Sequence, residues 1–386
     1  MEYDLILAGG GLANGLIALR LAKTRPELRV AIVEAADRLG GNHIWSSFDT
    51  DLRSAQRAWT ARLYAKQWRG YAVRFPKYRR LLGTGYASVT GERLDHEVRA
   101  VVPAGRLHLG QPIVAITPTA VTLGDQTTLR ARAVIDGRGA AASPHLDLRW
   151  QKFIGQEVEL AEPHGLTGPI IMDATVPQHD GYRFVYTLPF SPTRVLIEDT
   201  YFSDGSEMSP ALLRRHIADY AAAQGWTIVS TGREEQGILP LALGGDIAAF
   251  WDEGEPGVGR VGLRAGLFNP VTGYSFPDAV RTADLVAGLP DFAAANVYNA
   301  LRADSIAAWQ SRRLYRMLNR MLFLAAHDEE RRHILQRFYR LNDALVSRFY
   351  AARSTLTDWA RILSGKPPIP ISRALRTLIA YEMDHR

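Results

Sequence analysis

Residues 4–41 constrain the fold more than any other stretch. Asp4-Leu-Ile-Leu-Ala8 is a short apolar run, Gly9-Gly10-Gly11 interrupts it, and Leu16, Ile17, Ala18, Leu19, Leu21 and Ala22 resume at helical spacing. Strand, tight turn and helix is the reading. A second apolar run, Arg29-Val-Ala-Ile-Val33, ends on Glu34, 23 residues beyond Gly11. Turn glycines let a backbone come close to a diphosphate, while the first helical turn aims N–H groups and the positive end of its dipole at that charge. A carboxylate at the spacing of Glu34 suits the hydroxyls of a ribose.

The glycine pattern departs from G-x-G-x-x-G at one place. Gly9 and Gly11 are present, Asn14 occupies the third position, and Gly15 comes one residue late. The third glycine serves helix-to-strand packing rather than phosphate contact, so Asn14 is expected to cost packing more than binding. Beyond Glu34, the run Glu34-Ala-Ala-Asp-Arg38-Leu-Gly40-Gly41 resembles the FAD-binding proteins of the glutathione reductase type more than NAD dehydrogenases.

Composition narrows the classes. With 386 residues, 47% hydrophobic and 22% charged, the chain is long enough for two domains plus an appendage and is not a disordered one. It holds no cysteine, which excludes disulfides, thiolate metal sites and cysteine nucleophiles, and no metal site is expected. The first strand begins by residue 4, leaving no room for a signal peptide, and no run approaches roughly 18 uninterrupted apolar residues. A cytoplasmic location is the expectation. The net charge of +6 comes from 41 Arg and only 5 Lys. Such a balance admits nucleic acid or an anionic membrane surface as partner, but the arginines alternate with buried-type apolar residues, which disfavours nucleic acid.

Strands are predicted over 106–109, 113–117, 120–123 and 128–135, after a helix over 90–102. The last strand runs into Asp136-Gly137-Arg138-Gly139, and much later 259–276 is a glycine-punctuated segment opening a helix over 277–286. Both, like the first turn, can offer backbone donors to a long anionic ligand. Trp68, Tyr71, Val73 and Phe75 suggest one strand before Pro76, and Arg79-Arg80 reads as a solvated edge. Residues 151–250 read differently, with strands over 152–160, 169–172, 182–190 and 193–197, then a helix opened by Ser209-Pro210 that buries Leu213, Ile217 and Tyr220. Tyr182, Phe184, Tyr186 and Leu188 alternate against Arg183, Val185 and Thr187.

Val195-Leu-Ile197 leads directly into Glu198-Asp199-Thr200, an acidic pair at the end of an apolar strand. Period two places Glu198 with Leu196 on one face and Asp199 with Val195 and Ile197 on the other. A carboxylic acid desolvated there can stay protonated near neutrality and serve as a general acid. Salt bridging or turn capping is the alternative role for the pair.

Met172-Asp173, Tyr182-Arg183-Phe184 with Leu188-Pro189-Phe190, Leu196-Ile-Glu-Asp-Thr200, Gly237-Ile-Leu-Pro240 and Arg264-Ala-Gly-Leu-Phe-Asn-Pro-Val-Thr-Gly-Tyr274 together resemble the bacterial single-chain lycopene β-cyclases. The resemblance implies an α/β fold: a Rossmann-type FAD-binding domain of the glutathione reductase kind (1–150 with 251–300), an antiparallel sheet domain for substrate (151–250) and a helical C-terminal region (301–386). It further implies proton-driven ring closure of lycopene with no net redox change, FAD in reduced form, and NAD(P)H as reductant. Glu198 matches the family's acid and Asp199 its partner. The cofactor contacts expected are Gly9, Gly11, Leu12, Glu34, Arg38, Asp136, Gly137, Gly266, Gly273 and Tyr274. A flavin monooxygenase or dehydrogenase on the same fold, and a non-catalytic isoprenoid-binding protein, stay open as alternatives.

In the tail, Leu314, Met317, Leu318, Met321, Leu322 and Ala325 form an apolar stripe opposite Arg312, Arg313, Arg316 and Arg320. Ile334, Phe338, Leu341 and Leu345 repeat it beside Arg331, Arg332, Arg337 and Arg340. Nine arginines face four acids over 310–350. These helices either pack on the core or lie on an anionic bilayer, where a lipid-dissolved substrate would be met and the enzyme would sit peripherally on the cytoplasmic face. Pro367-Pro368 reads as the end of the helical region.

Overall fold

A computed structural model describes residues 2–364 and 369–384. Tyr3–Ala8 lies at the centre of a largely parallel sheet, between Val30–Val33 and Thr128–Asp136. Leu107–His108 extends the sheet beyond the first neighbour, and Gly259–Arg260 pairs with the second. Leu5, Ile6 and Leu7 are wholly buried, as strands covered on both faces require. Ala8 pairs with both Val33 and Asp136. The residues that follow, Gly9, Glu34 and Gly137, therefore leave the sheet side by side at its carboxyl edge, where open α/β sheets bind ligands. Ile113–Thr117 and Ala120–Leu123 complete the sheet as an antiparallel meander. The strand expected over 106–109 shrinks to two residues after a 3₁₀ turn, Ala104–Arg106.

Helix Leu12–Thr24 follows the glycine turn and packs against Phe276–Ala287. Asn14 does not merely weaken this packing. Its buried amide donates to the carbonyls of Ala8 (2.9 Å) and Gly9 (2.8 Å), tying the helix to the strand it leaves. Gly15 serves a separate contact: a Cβ there would lie 3.0 Å from Leu94 Cδ1 on the helix Gly91–Arg99.

A second seven-stranded sheet carries Ile228–Gly245, Leu146–Leu160, Arg194–Ser203, Tyr182–Pro189, Ile170–Asp173, Tyr71–Phe75 and Tyr78–Leu82, in that order. All its neighbours are antiparallel except Ile170–Asp173 with Tyr71–Phe75. The sheet begins at Leu146 rather than 151, and it takes two strands from 71–82, a stretch expected to belong wholly to the nucleotide domain. The aromatic run near Trp68 is two strands in different sheets: Lys66–Trp68 joins a small sheet with Ile44–Phe48 and Tyr86–Thr90. Strand Arg194–Ser203 continues well past Ile197, so the acidic pair sits inside a strand rather than at its end. Pairing of both neighbours to this strand leaves its backbone satisfied while its side chains alternate between two cores.

One of those cores lies under the tail. Tyr71, Tyr182, Phe184 and Phe202 pack with Tyr315, Leu322, Tyr339, Phe349 and Trp359. The tail is therefore the cover of the second sheet rather than an appendage. Its arginines do not line one solvated stripe. Arg312, Arg316 and Arg331 are buried, bound respectively to Asp278, to the Trp309 carbonyl and to Asp204. Arg80, expected on a solvated edge, donates to the Tyr339 carbonyl at 2.6 Å and pairs with Asp343. Pro367 and Pro368 lie outside the described residues, but the helical region does not end near them, because helix Ile371–Asp384 follows. Among the described residues no helix is long and apolar enough to cross a membrane.

Candidate active site

A cavity of about 630 Å³ connects the carboxyl edge of the first sheet to the inner face of the second. Its two ends differ in chemistry.

The first end is a backbone cradle lined by Gly9, Gly11, Leu12, Glu34, Arg38 and Gly137. Gly9 has φ +94°, and a Cβ there would come within 3.0 Å of the Gly137 carbonyl. Only glycine allows the two turns to approach so closely. Gly11 caps helix Leu12–Thr24 without a side-chain bond, and no acidic residue stands in the first turn. The helix N-terminus thus faces the cavity with its positive dipole end uncompensated, which suits an anionic diphosphate. Glu34 is held by the N–H groups of Gly10 (2.6 Å) and Ala36 (2.9 Å).

Two expected cofactor contacts fall outside the cavity wall. Asp136 is buried against Arg138, accepting from Nε at 2.8 Å and Nη2 at 2.9 Å, and this pairing, strengthened by Arg264, holds its carboxyl below the usual range despite burial. Gly266, at φ +71°, closes the 3₁₀ turn Gly262–Ala265 against Ile247. Gly262 and Leu263 line the cavity in its place, with Gly273 and Tyr274 as expected.

The second end is aromatic. Phe153, Phe184, Tyr186, Phe202, Tyr274, Tyr339 and Tyr350 line it, two of them from the tail. The Tyr86 hydroxyl lies 3.0 Å from that of Tyr186 and 2.7 Å from that of Tyr274, while Ser46 Oγ is 2.9 Å from Tyr186. Burial pushes all three phenols well up, so they stay neutral. With their hydroxyls satisfied by one another, Tyr186 and Tyr274 offer aromatic rings to the cavity wall, and an aromatic ring attracts a cation.

Glu198 opens into this aromatic end from the strand Arg194–Ser203. Burial, reinforced by the carboxylate of Glu235, pushes its pKa up to about 8; the Thr200 hydroxyl, donating at 2.7 Å, opposes the shift without cancelling it. Glu198 therefore holds its proton at neutral pH in an apolar chamber, as a general acid must. Asp199 faces the other way. It is wholly buried on the back of the sheet, accepting from Arg183 Nε at 2.7 Å and lying 3.0 Å from His216 Nδ1, and it does not line the cavity. The structure does not bring Asp199 to the chamber that holds Glu198.

Three features escaped the sequence reading. Glu235 lines the cavity from a strand whose local run, Gly232-Arg-Glu-Glu-Gln-Gly237, looks like a loop. The Tyr86–Tyr186–Tyr274 cluster joins residues 188 positions apart at its widest. Tyr339, just past helix Asp328–Phe338, and Tyr350, at the end of helix Asp343–Tyr350, lie where core packing explains them equally well.

A glycine-built cradle at the edge of one sheet, joined to an aromatic chamber on the inner face of another, defines a two-sheet α/β protein. Similar folds occur in the flavin-dependent brominase Bmp2 (TM-score 0.61, 15% identity, all of both chains) and in a geranylgeranyl bacteriochlorophyll reductase-like protein of Thermoplasma acidophilum (TM-score 0.58, 12% identity, 97% of this chain and 95% of that one). The sequence profile of the lycopene cyclase protein family matches residues 4–376. Lycopene beta-cyclases of Pantoea ananas (48% identity, 98% of each chain) and Paracoccus sp. (47%, 98% of this chain and 97% of the relative) align over nearly their whole length. The chain belongs to the lycopene cyclase family.

Proposed function

We propose that the chain closes the linear ends of lycopene into β-rings, giving γ-carotene and then β-carotene. The observation that carries this reading is Glu198, protonated at neutral pH within an aromatic chamber. The glycine cradle is the expected seat of FAD, with Gly9, Gly11, Leu12 and Gly137 around its diphosphate, and Glu34 at the ribose. When bound in reduced form, with NAD(P)H as the source of electrons, FAD supplies negative charge near the developing cation without net electron transfer.

The chain's own residues do the rest. Glu198 delivers a proton to the terminal double bond. Phe184, Phe202 and Tyr186 present ring faces to the resulting cation and keep out water that would quench it. The satisfied Tyr86–Tyr186–Tyr274 hydroxyls hold the Tyr186 ring in place and offer no strong nucleophile. Expression in cells that accumulate lycopene, followed by pigment chromatography, tests the reading. A shift to β-carotene with unchanged mass, and no NAD(P)H consumed in step with product, is expected. A heavier product or stoichiometric NAD(P)H use would favour a monooxygenase or dehydrogenase instead, and a pigment that stays unchanged would favour a binding protein.

Peripheral attachment to the cytoplasmic face of an anionic membrane is part of the same proposal, but through a different surface from the arginine stripes. Helix Ile371–Asp384 exposes Ile371, Leu375, Ile379 and Met383, spaced at successive turns, and the exposed Arg376 lies on the same helix. Tyr381 and Ala374 hold its other face to the protein. Replacing Ile371, Leu375 and Ile379 by Ser should lower flotation with anionic vesicles at least tenfold, since each apolar side chain buried in lipid is worth about 1.5–3 kcal/mol. Undiminished flotation would place the contact elsewhere.

A further inference from the structure

We propose that Glu235 is the carboxylate that takes the proton off the closed ring, across a gap from the Glu198 that supplies the first one. This inference rests on the ring-closing reading and adds to it the second half of the proton chemistry.

The gap follows from strand register. Gly155 pairs with Glu198 on one side and with Glu235 on the other. Residues directly opposite in antiparallel strands send their side chains to the same face. Glu198, Gly155 and Glu235 thus form a row, and its middle member has no side chain. With neighbouring strands about 4.8 Å apart, the outer two Cα atoms lie about 10 Å from each other. A Cβ on Gly155 would stand 3.4 Å from Glu198 Cβ and 3.2 Å from Leu196 Cδ1, narrowing the space between the two acids. Both acids line the same cavity.

Their surroundings push them to opposite roles. Glu198 receives a single hydrogen bond, from Thr200. Glu235, with a side chain only 5% exposed, has a partner on each oxygen: Oε2 accepts from the Ile44 N–H at 3.1 Å and Oε1 lies 3.2 Å from His43 Nδ1. A partner on each oxygen fixes the Glu235 carboxyl in place at the cavity wall. Two carboxyls that line one chamber across the Gly155 gap, one bound by a single hydroxyl and the other held through both oxygens, are placed to act as an acid and base pair. Neighbouring Glu234 takes no part, because Arg214 and Gln156 engage it outside the chamber.

The step balances. The Glu198 O–H bond breaks and its proton joins C2 of the terminal double bond, leaving the cation at C1. The C5–C6 π pair forms the C1–C6 bond and moves the cation to C5. The C6–H bond then breaks, its electron pair closes the C5–C6 double bond, and the proton goes to a Glu235 oxygen. Return of that proton to Glu198 leaves substrate and product as isomers.

The test uses purified full-length enzyme loaded with cofactor, with lycopene as substrate and chromatography resolving ring type. Glu235→Gln should slow ring closure by at least about tenfold at unchanged flavin content, and part of the product should carry its double bond at C4–C5, where the cation loses a different proton. Glu235→Ala with added formate should regain rate and the C5–C6 product. Exclusively C5–C6 rings at the wild-type rate in Glu235→Gln would overturn the inference, as would slowing that is explained by lost flavin or a failure of formate to restore the Ala variant. Wild-type enzyme unable to make rings under these conditions would instead overturn the reading on which the inference stands.

Discussion

Replacing Glu198 by Gln is expected to lower the rate of ring closure by at least ~10²- to 10⁴-fold, the usual contribution of a positioned general acid, with fold and cofactor cradle unchanged. Gln fills the same volume and still accepts from Thr200, but it cannot release a proton to carbon. The wild-type rate should fall about tenfold per pH unit above about 8, because the reactive form is the protonated one. Stability follows the same group. Below the reference value near ~4.3, folded and unfolded chains both hold the proton. Between there and about 8 only the folded chain does, so this group makes stability fall with rising pH by about 1.4 kcal/mol per unit, and the loss is complete above the folded value. The Gln variant should lack this contribution and be the more stable protein at pH 9. Denaturant unfolding at pH 6 and pH 9, beside a pH–rate profile, checks both consequences. Ring closure by the Gln variant at the wild-type rate would remove Glu198 from the role of donor.

The largest loss of stability is expected from Asp278→Ala. Asp278 lies near the start of helix Phe276–Ala287, and Arg312 at the junction of Ala294–Ser311 with Arg313–Arg320. Arg312 donates to both carboxylate oxygens, at 2.8 and 2.6 Å, and to the Phe268 carbonyl at 3.0 Å. Burial disfavours the charge on Asp278, but Arg312 and Arg281 outweigh it and hold the carboxyl well below its usual range. Removing the carboxylate leaves a buried guanidinium bonded to the Phe268 carbonyl alone, a change that costs about 3–5 kcal/mol. That is a large part of the ~5–15 kcal/mol typical of a domain. Adding Arg312→Leu to the Ala variant should recover part of it, because the stranded charge is then gone. Unfolding free energies within about 1 kcal/mol of wild type would show that the pair contributes little.

Which parts were legible in the sequence follows from the range of each signal. Period-two alternation correctly separated Glu198 from Asp199, since it depends only on backbone geometry, and Leu196 and Val195 do lie in different cores. It carried no information about what each face would meet. Asp199 meets Arg183 and His216 behind the sheet, whereas Glu198 opens into the cavity. Asp136 was placed correctly at the end of its strand, but Arg138 claims its carboxylate two residues later. Helical spacing places the tail arginines opposite the apolar stripes and leaves open whether core or bilayer covers those stripes. Three of these arginines are buried, and two, Arg312 and Arg331, meet acids from distant segments that no local pattern reveals.

Two kinds of information are thus divided between the chain and its fold. Local spacing by itself determined the strand–turn–helix at residues 3–24, the acid at the end of the second strand and the face on which Glu198 points, because hydrogen-bond geometry and side-chain period act over a few residues. Only the tertiary structure decided that Gly155 separates Glu198 from Glu235, that Tyr86, Tyr186 and Tyr274 share one hydroxyl cluster, and that the tail roofs the chamber. Strand register and long-range packing join residues far apart in the chain, and a carboxyl's proton affinity is set by the burial and charge that only this assembly supplies.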